Sequence, residues 1–468
     1  MNNTSSAFYL IIGLGRSGLS TARWMKAQGI PYSAWDDTSS VRTSIALSEK
    51  ITMRDPLEED FPWENVKGII LSPGIAHHYP TPHPIIQSAH HWSQTHHHPI
   101  EMISDLELFI RTYPVRYIAI TGTNGKSTTT ALVAHMLEKA HIPTSIGGNF
   151  GIPVFDLPLL PAHGLYVFEF SSYQLELTPS LAPEVSILLN ITPDHLDRHG
   201  GWEGYINAKM KIIPPSPSAI VIGIDSPPTS HIYDTLKKEC RHTLWSVSIE
   251  SQEGDFYRKD SDLFQKNDKK PFLSLKDLTL RGTHNAQNIG AAIAVLKALN
   301  VRDDLIVEGI KTFPGLVHRQ EFVAKIGEVA FINDSKATNV DATRHALAAY
   351  DHIYWILGGR AKEDNLLDLK AYFPKIHKVF LIGEAMDRFS KELEGHLPYV
   401  RSGSLEEAVS HAFREARQDL SSFSSYTPHV LLSPACASFD QFKNFEERGD
   451  LFKHYVANMQ KNSSLKNI

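Results

Sequence analysis

The stretch Tyr117–Glu138, YIAITGTNGKSTTTALVAHMLE, decides which fold to expect. An apolar run typical of a β-strand enters a short polar loop with two glycines, and a helical pattern rich in alanine and leucine follows at once. A strand, a glycine loop and a helix N-terminus together direct backbone N–H groups and the helix dipole at a phosphate chain. We expect Lys126 to reach the β- and γ-phosphates and the Ser127 hydroxyl to bind Mg²⁺. The stretch therefore predicts an ATP- or GTP-binding domain.

The loop is shorter than the standard phosphate-binding template, which has a glycine six residues before the lysine. Ile120 holds that position, and the loop is the tighter segment Gly122–Ser127. A bare Gly-Lys-Ser match also fits a glycine turn before a surface helix, but the flanking strand and helix favour nucleotide binding. The residues predicted to contact the nucleotide are Gly122, Thr123, Asn124, Gly125, Lys126, Ser127 and Thr128.

Length and composition limit the remaining possibilities. The chain has 468 residues, which suggests about three domains at about 150 residues each. The formal net charge of −6 gives no indication of a nucleic acid or an anionic membrane surface as a partner. With only two cysteines, Cys240 and Cys436, a disulfide framework is not expected, and a reducing compartment is. No apolar run approaches the roughly 18 residues of a membrane span, and the N-terminus lacks a basic leader region. We expect a cytoplasmic protein.

The first hundred residues carry a second glycine pattern. Gly13-x-Gly15-x-x-Gly18 follows an apolar strand and precedes a helical pattern, with Asp36 about twenty residues further on. This arrangement is typical of a dinucleotide site, but the same geometry holds any pyrophosphate, including that of a UDP-sugar. A further strand, 68–71, runs into Ser72-Pro73-Gly74, at the strand end where open α/β sheets bind ligands.

Strands and helices alternate through the rest of the chain, which predicts an α/β protein with mostly parallel sheets. The polar stretch 246–276 predicts hairpins and loops, and 282–299 predicts a long amphipathic helix. A third α/β unit follows a Pro-Gly turn at residues 314–315. The strands predicted downstream of the phosphate loop are 165–170, 185–190, 330–334, 352–359, 378–383 and 429–434.

Two polar clusters follow strands next to the phosphate loop. Glu169 ends a strand predicted to lie parallel to the loop strand, where a carboxylate would bind Mg²⁺ or, alternatively, pair with a buried base. Asp194, His195 and Asp197 form a turn after another strand, which suits either a catalytic role or the capping of a helix. Both interpretations stay open on spacing alone.

Two further polar clusters lie in the C-terminal third of the chain. Asp334-Ser335-Lys336 ends a strand and forms either a binding site or a surface salt bridge. In 431–449, Phe442 and Phe445 contact either a ligand or the core.

The histidine-rich segment 90–98 suggests metal binding, but it has no cysteine or ordered acidic partner, so we expect a solvated loop or helix face and no metal site.

Six segments together resemble a known family. The strings are GTNGKST (122–128), FEFSSYQLE (168–176), NITPDHLDRH (190–199), HRQEF (318–322), NDSKATN (333–339) and SPACASFDQFKNFEERG (433–449). In this order the chain resembles the Mur ligases of peptidoglycan synthesis over almost its whole length. The last two strings are similar to those of the members that add D-glutamate.

The resemblance implies three domains and a set of site residues. The domains would be a UDP-precursor-binding Rossmann-like domain (1–111), a central ATP-binding domain (112–315) and a Rossmann-like C-terminal domain that binds the incoming amino acid (316–468). Lys126, His195 and Lys209 would be catalytic. Ser127, Glu169, His195 and Lys209 would hold two Mg²⁺ ions, with Lys209 carbamylated, because a carbamate turns an ammonium group into an anionic oxygen ligand.

The same resemblance assigns the ligand contacts. Asn285, Arg319 and Asp334 would join the loop residues in binding ATP. The positions around the UDP-precursor would be Ser17, Asp36, Ser72, Pro73, Gly74, Asn149, Ser171 and Gln174. Those around D-glutamate would be Lys336, Thr338, Lys362, Ser438 and Phe445. Asp36-Asp37-Thr38 stands where an Asp-Thr-Arg triplet is often found, and the histidine-rich segment would be an insertion.

The implied reaction is ATP-driven addition of D-glutamate to UDP-N-acetylmuramoyl-L-alanine through an acyl phosphate. The expected partners are these small molecules, with ATP and Mg²⁺ as cofactors, and we expect a monomer. The alternatives are a Mur-type or folylpolyglutamate-type ligase for another amino acid, an NAD(P)-dependent oxidoreductase that uses Gly13–Gly18, and a non-catalytic nucleotide-binding switch.

Overall fold

The protein divides into two compact units of alternating strands and helices. A computed structural model describes residues 7–216, 218–239, 241–276, 278–280, 282–361, 365–420 and 426–465, with side chains to residue 461. The first unit comprises Met1–Leu278 and Thr283–Phe313, and the second comprises Thr279–Gly282 and Pro314–Ile468. The predicted domain boundaries at 111/112 and 315/316 stay predictions.

The N-terminal part of the first unit is a four-stranded parallel sheet in the order β2-β1-β3-β4. Leu10 and Ile12 of β1 pack on one face against α3, whereas Ile11 packs on the other face against α1 and α2, because successive side chains of a strand point to opposite sides. Both faces are covered, as in other parallel sheets. The elements are β1 Phe8–Ile12, α1 Arg16–Ala27, β2 Tyr32–Trp35, α2 Ser39–Glu49, β3 Val66–Leu71, α3 Pro84–His96, β4 Glu101–Ile103 and α4 Asp105–Thr112.

The central part of the first unit is a nine-stranded sheet in the order β13-β12-β11-β10-β9-β8-β5-β7-β6. It is parallel except for β12, which runs antiparallel to β11 and β13 and forms the predicted hairpin region. The elements are β5 Tyr117–Thr121, α5 Lys126–Lys139, β6 Thr144–Gly148, β7 Leu165–Glu169, α6 Ser172–Glu176, β8 Val185–Leu188, α7 Trp202–Met210, β9 Ala219–Gly223, α8 Pro227–Glu239, β10 Thr243–Ser248, β11 Phe256–Lys259, β12 Asp262–Gln265, β13 Leu273–Ser274, α9 Thr283–Ala298 and α10 Asp303–Thr312.

The helix α9 is buried on almost every side, so the prediction of an amphipathic helix was wrong. All residues from Asn285 to Leu296 are buried. The helix packs against α5, α10 and the strands β9 to β11, and its glycine and alanines permit this close approach. A helix enclosed in this way can place polar side chains inside the core only where they find hydrogen-bond partners.

Aromatic packing joins the two parts of the first unit. The Trp24 ring of α1 stacks on Phe155 at 4.2 Å between ring centroids, and Trp24 Nε1 donates to the Tyr113 hydroxyl at 3.0 Å. Ser104 caps α4 by accepting from Glu107 N, and its hydroxyl lies 2.8 Å from that of Thr178 in the central part. The chain just after β4 is thereby held against the segment that follows α6 in the central part.

The second unit is a six-stranded sheet in the order β14-β15-β19-β16-β17-β18, parallel except for β14. Trp355 and Leu357 of β16 pack on one face, and Tyr354 and Ile356 on the other, against α13 and α14. The elements are β14 Glu321–Ile326, β15 Val329–Asn333, α11 Val340–Ala349, β16 Ile353–Gly358, β17 Ile376–Ile382, α12 Met386–Leu393, β18 Tyr399–Gly403, α13 Leu405–Leu420, β19 His429–Leu432 and α14 Phe445–Leu465.

The predicted α/β class and mostly parallel sheets are confirmed, and every strand predicted from an apolar run is present. The histidine-rich segment forms the end of α3 and the turn after it. None of the described helices combines the length and apolar character needed to cross a membrane.

Candidate active site

The glycine loop lies between β5 and α5 at the carboxyl edge of the central sheet. Gly125 precedes α5 with φ +83°, and a side chain there would collide with the Asn288 amide oxygen, so both conformation and space require glycine. The Lys126 ammonium donates to the carbonyl oxygens of Gly122 and Thr123, each at 2.9 Å. The lysine therefore curls over the loop with its charge above the helix N-terminus, where an anion is favoured.

Glu169 ends β7, directly beside the loop strand, with Ile120 as its register partner. Its side chain is 1% exposed. The Oε1 atom accepts from Asn149 Nδ2 at 2.6 Å, whereas buried Oε2 has no hydrogen-bond partner among the described residues. Burying a carboxylate oxygen without a hydrogen-bond donor costs free energy. Binding a hard cation such as Mg²⁺ would satisfy this oxygen. Glu169 therefore fits the predicted metal site.

Lys209 lies on α7 with only 2% of its surface exposed. Its ammonium donates to Gly122 O at 2.8 Å and lies 3.4 Å from Thr121 Oγ1, under the start of the glycine loop. Burial, reinforced by the nearby charge of Lys126, lowers the pKa of Lys209 to about 7. A substantial fraction of this amine is therefore neutral and nucleophilic near neutral pH.

His195 lies in the turn between β8 and the 3₁₀ turn Leu196–His199, with φ +49°. Burial lowers its pKa, and its Nε2 lies 3.4 Å from Asp194 Oδ2. No side chain caps the 3₁₀ turn, so Asp194 does not have the helix-capping role that was one alternative. The imidazole remains about half exposed and available to a ligand.

A cavity of about 230 Å³ brings many of the predicted residues together. It is lined by Pro73, Gly74, Lys126, Asn149, Ser171, Ser172, Tyr173, Asp194, His195, Tyr205 and Lys209. Sequence reasoning missed Ser172, Tyr173 and Tyr205. Gln174 is buried and accepts from Ser171 N and Oγ, so it fixes Ser171 and does not itself line the cavity.

The N-terminal sheet presents a second set of predicted residues at its carboxyl edge. Ser72 Oγ donates to Gly13 O at 2.9 Å, which closes the glycine turn. Asp36 accepts from Leu14 N at 2.8 Å and from Thr38 N at 2.9 Å. Ser17 contacts the buried carboxyl group of Asp105.

Arg42 was missed by the sequence reasoning. It lies one turn into α2, with its guanidinium 4.1 Å from the centre of the Trp35 ring, and it donates to Asp36 O and Asp37 O. It therefore places a cation near Asp36-Asp37-Thr38, where this chain lacks the arginine of the Asp-Thr-Arg triplet.

The second unit holds most of the remaining predicted residues. Asp334 is buried at the end of β15, accepts from Ser433 Oγ at 2.7 Å and from Gln320 N at 3.2 Å, and burial raises its pKa to about 7. Lys336 Nζ lies 5.2 Å from the Phe445 ring centre, and Ser438 is buried. Arg319 is exposed and Thr338 half-buried. Lys362 lies outside the described residues.

Arg448 joins the two loops of the second unit that carry these side chains. It is fully buried and donates to Ser335 Oγ at 3.0 Å, to Ser335 O at 2.8 Å and to Cys436 O at 3.1 Å. Asn285, the other predicted nucleotide contact, belongs to the first unit, where it is buried on α9 and accepts from Asn288 Nδ2 at 2.9 Å.

A glycine loop at a helix N-terminus, a lysine folded over it and a buried carboxylate on the adjacent strand define a nucleotide-binding α/β enzyme. Sequence comparison identifies the family. Residues 7–93 match the model "Mur ligase MurD-like, N-terminal domain", residues 120–296 match "Mur ligase middle domain" and residues 318–436 match "Mur ligase, glutamate ligase domain". The chain belongs to the Mur ligase family, whose members are ATP-dependent, ADP-forming ligases that generally require Mg²⁺.

Curated relatives support the assignment over nearly the full length. The UDP-N-acetylmuramoylalanine–D-glutamate ligase of Rhodospirillum rubrum is 43% identical over 460 residues, covering 96% of this chain and 94% of the relative. The ligase of the same name from Rhizobium meliloti is 43% identical over 458 residues, covering 96% of each. The glycine pattern Gly13–Gly18 thus lies in the N-terminal domain of a ligase and not in an oxidoreductase.

Solved structures show the same fold at lower identity. The UDP-N-acetylmuramate–alanine ligase of Thermotoga maritima aligns with a TM-score of 0.59 at 18% identity, covering 97% of this chain and 99% of that one. A ligase from Acinetobacter baumannii that adds D-alanyl-D-alanine aligns with a TM-score of 0.54 at 22% identity, covering 75% of this chain and 77% of that one.

A buried histidine pair next to the cavity predicts a pH-dependent stability. Glu176 Oε2 lies 3.4 Å from His77 Nε2, and Glu176 Oε1 lies 3.4 Å from His199 Nδ1. The pKa of His77 is lowered to about 4, mainly by burial; Glu176 opposes this shift, and His78, Arg198 and Lys211 add to it. In the unfolded chain the pKa of a histidine is about 6.5. Between pH 6.5 and 4, His77 is therefore protonated in the unfolded state but neutral in the folded state, which favours unfolding.

We therefore expect His77 to lower the free energy of unfolding as the pH falls through this window, by at most about 3 kcal/mol. The measurement is the thermal midpoint at pH 7, 6, 5 and 4.5 for wild type, His77→Gln and the exposed-site control His91→Gln. The His77→Gln midpoint should fall less steeply with pH than those of the other two. Three parallel curves would show that His77 does not titrate as described.

Proposed function

We propose that the protein catalyses ATP-dependent addition of D-glutamate to UDP-N-acetylmuramoyl-L-alanine, with an acyl phosphate as intermediate. The observation that carries the proposal is the cavity in which Lys126 of the phosphate loop faces the Pro73–Gly74 turn, Asn149, His195 and Lys209. A phosphate-binding lysine and a turn suited to the UDP-precursor border the same space. The 43% identity to D-glutamate ligases, which covers 96% of this chain, supports the choice of substrates.

The chain's own residues explain how phosphoryl transfer can occur there. The carboxylate of the L-alanyl group attacks the γ-phosphorus of ATP, so two anions must approach each other. Lys126 places a positive charge at the loop, and the N-terminus of α5 adds its dipole. The Pro73–Gly74 turn, Asn149 and Ser171 would hold the UDP-precursor so that its carboxylate points at the phosphate. ADP leaves, and the acyl phosphate carries the activated carbonyl.

Ser127, Glu169, His195 and a carbamylated Lys209 would hold Mg²⁺ at two sites. When bound, Mg²⁺ screens the charges of the phosphates and the attacking carboxylate. The unsatisfied Glu169 Oε2 fits this role, and the partly neutral Lys209 amine can attack CO₂ to form the carbamate, releasing one proton. The Oγ1 of Thr121 and the carbonyl of Gly122 would hold the nitrogen end of the modified side chain.

The second unit would bind D-glutamate, and it carries two of the residues predicted to contact ATP. The two carboxylates of D-glutamate require cationic and hydroxyl donors, which Lys336, Thr338, Ser438 and the predicted contact Lys362 would provide. Phe445 lies beside Lys336 and would restrict the orientation of that ammonium group. Arg319 and Asp334, together with Asn285, would contact ATP. The amine of D-glutamate then attacks the acyl carbon, and the tetrahedral intermediate expels phosphate.

The substrates also suggest a compartment. ATP and a UDP-linked precursor are cytoplasmic metabolites, and the low cysteine content suits a reducing environment. We propose a cytoplasmic, monomeric enzyme.

An amino-acid panel tests the proposed function. Phosphate release is measured with ATP, Mg²⁺ and UDP-N-acetylmuramoyl-L-alanine, in the presence of D-Glu, L-Glu, L-Ala, L-Lys or meso-diaminopimelate. We expect release with D-Glu alone, and none when the UDP-precursor is omitted. Release with a different amino acid would reassign the substrate, and release without any amino acid would indicate a nucleotide hydrolase or switch.

A further inference from the structure

Asn190, just after β8, holds the middle of the phosphate loop from below. Its Oδ1 accepts from Asn124 N at 2.8 Å, and its Nδ2 lies 3.2 Å from Asn124 O. Its backbone carbonyl also accepts from Thr123 N at 2.9 Å. The first two bonds fix the peptides on either side of Asn124, and the third fixes the peptide between Gly122 and Thr123. The loop can keep its remaining N–H groups directed at an anion only while this orientation holds.

Gln287 reinforces the orientation of the Asn190 amide that the N–H and carbonyl of Asn124 require. Gln287 is 7% exposed on α9, its Oε1 accepts from Asn190 Nδ2 at 2.9 Å, and its Nε2 donates to Asp225 Oδ2 at 3.0 Å. A carboxylate only accepts hydrogen bonds, so Asp225 requires the NH₂ end of Gln287 to face it. The oxygen of Gln287 must then face Asn190, and this places the oxygen of Asn190 against Asn124 N–H.

Asp225 is itself fixed by the loop after β10. Its Oδ1 accepts from Ser248 Oγ at 2.6 Å and from Ile249 N at 3.0 Å. The chain Asp225–Gln287–Asn190–Asn124 therefore has a single polarity, set at one end by a carboxylate that cannot donate. If Gln287 and Asn190 both reversed, an NH₂ group would oppose the N–H of Asn124 and the peptide would have to move.

We propose that Asp225 is a positioning residue for the phosphate loop, acting through Gln287 and Asn190 to fix the Asn124 peptide for nucleotide binding. The inference rests on the proposed use of this loop for ATP. Asp225 lies beyond β9 and does not line the cavity, so its effect should appear in nucleotide affinity and not in the use of D-glutamate.

Two isosteric variants and their combination test the proposal. Asp225→Asn allows Gln287 to reverse, and Gln287→Glu places two carboxylates side by side. We expect each to raise the KM for ATP and the Kd for ADP about tenfold, the effect of losing one well-oriented hydrogen bond. In the double variant, the amide introduced at position 225 can donate to the carboxylate introduced at 287, which still accepts from Asn190. The direction of the hydrogen bonds at Asn190 is then the same as in the wild type. The KM for ATP and the Kd for ADP should therefore return to within about threefold of the wild-type values.

The matched control is Asp255→Asn. Asp255 also accepts from a backbone N–H and a hydroxyl, those of Ser246 at 2.8 Å each, but its described bonds do not reach the phosphate loop. It should leave the KM for ATP and the Kd for ADP unchanged. Thermal midpoints are recorded for all variants, and Gln287→Glu carries the test if Asp225→Asn does not fold.

Unchanged nucleotide constants in both single variants, or a double variant whose effects add, would overturn the proposal. ADP binding is measured in the absence of the other substrates, so this test does not depend on the amino-acid panel. A wild-type protein that binds ADP but releases no phosphate with D-Glu would contradict the proposed reaction and leave the positioning role to be decided by the ADP data.

Discussion

The Lys209→Ala variant is expected to lose about 10³-fold or more of its D-glutamate-dependent phosphate release, since several kcal/mol of metal-mediated charge stabilisation would be lost. Lys209 is buried under the glycine loop, and the proposed carbamate supplies anionic oxygens to the metal site. Alanine removes both the oxygens and the hydrogen bond to Gly122 O. The measurement is kcat with all three substrates saturating, together with the thermal midpoint.

A small carboxylic acid should restore part of the activity of Lys209→Ala, because acetate or formate can occupy the space and present the missing oxygens. The matched control is Lys211→Ala, which removes an exposed lysine at the end of the same helix and should have almost wild-type activity. Full activity in Lys209→Ala would contradict the carbamate assignment, as would rescue by methylamine equal to rescue by acetate.

The proposed carbamate on Lys209 predicts that the activity of the wild-type enzyme depends on pH and CO₂. Burial lowers the pKa of Lys209 to about 7, below its unfolded value of 10.5, so the reactive neutral amine is present above pH 7 and is lost below it. Enzyme dialysed at pH 6 in CO₂-free buffer should lose activity and recover it when bicarbonate is added at pH 8. Lys209→Ala should show no recovery, which separates this effect from other titrations.

The sheets could be predicted because their strands are buried on both faces. Runs such as Ile118–Ile120 and Ile353–Gly358 are apolar without alternation, as parallel strands between helices are. The amphipathic prediction for α9 was wrong for a related reason. The polar residues Asn285, Gln287 and Asn288 are buried and not solvent-facing. Gln287 bonds to Asn190 and Asp225, and Asn288 accepts from Thr129, all far away in the chain, whereas Asn285 bonds to Asn288 within the helix.

The site could be predicted only where local sequence constrains it. Glu169 ends an apolar strand and His195 follows another, and the carboxyl ends of parallel strands meet at one edge. Topology therefore places Glu169 beside the strand of the phosphate loop and His195 in the same cavity as Lys126. Lys209 has no such signal. It is a lysine within a helix, and only the family resemblance singled it out. Tyr205 reaches the loop by a hydrogen bond to Thr123 across 82 residues, a contact that no local pattern encodes.

The Glu169→Gln variant is expected to lose about 10²- to 10³-fold of activity, because an amide is a much weaker Mg²⁺ ligand than a carboxylate of the same shape. The side chain is buried between the loop strand and Asn149, so the substitution keeps its volume and the Asn149 contact. The free energy that changes is that of metal binding. Raising Mg²⁺ from about 1 to 50 mM should therefore recover part of the activity if the weakened site can be saturated by mass action.

A thermal-shift experiment separates this cause from general damage to the fold. Mg²⁺ with ADP stabilises a protein that binds them only when folded, by an amount that grows with the ratio of ligand concentration to Kd. Wild type and the exposed-site control Glu203→Gln should both gain several degrees, whereas Glu169→Gln should gain much less from Mg²⁺ and keep its shift with ADP alone. An equal Mg²⁺-dependent shift in all three would mean that the unpaired Glu169 oxygen does not bind metal. The free-energy cost of burying the Glu169 carboxylate would then have to be offset by the ammonium groups of Lys126 and Lys209. In that case Lys209→Ala should lower the thermal midpoint sharply.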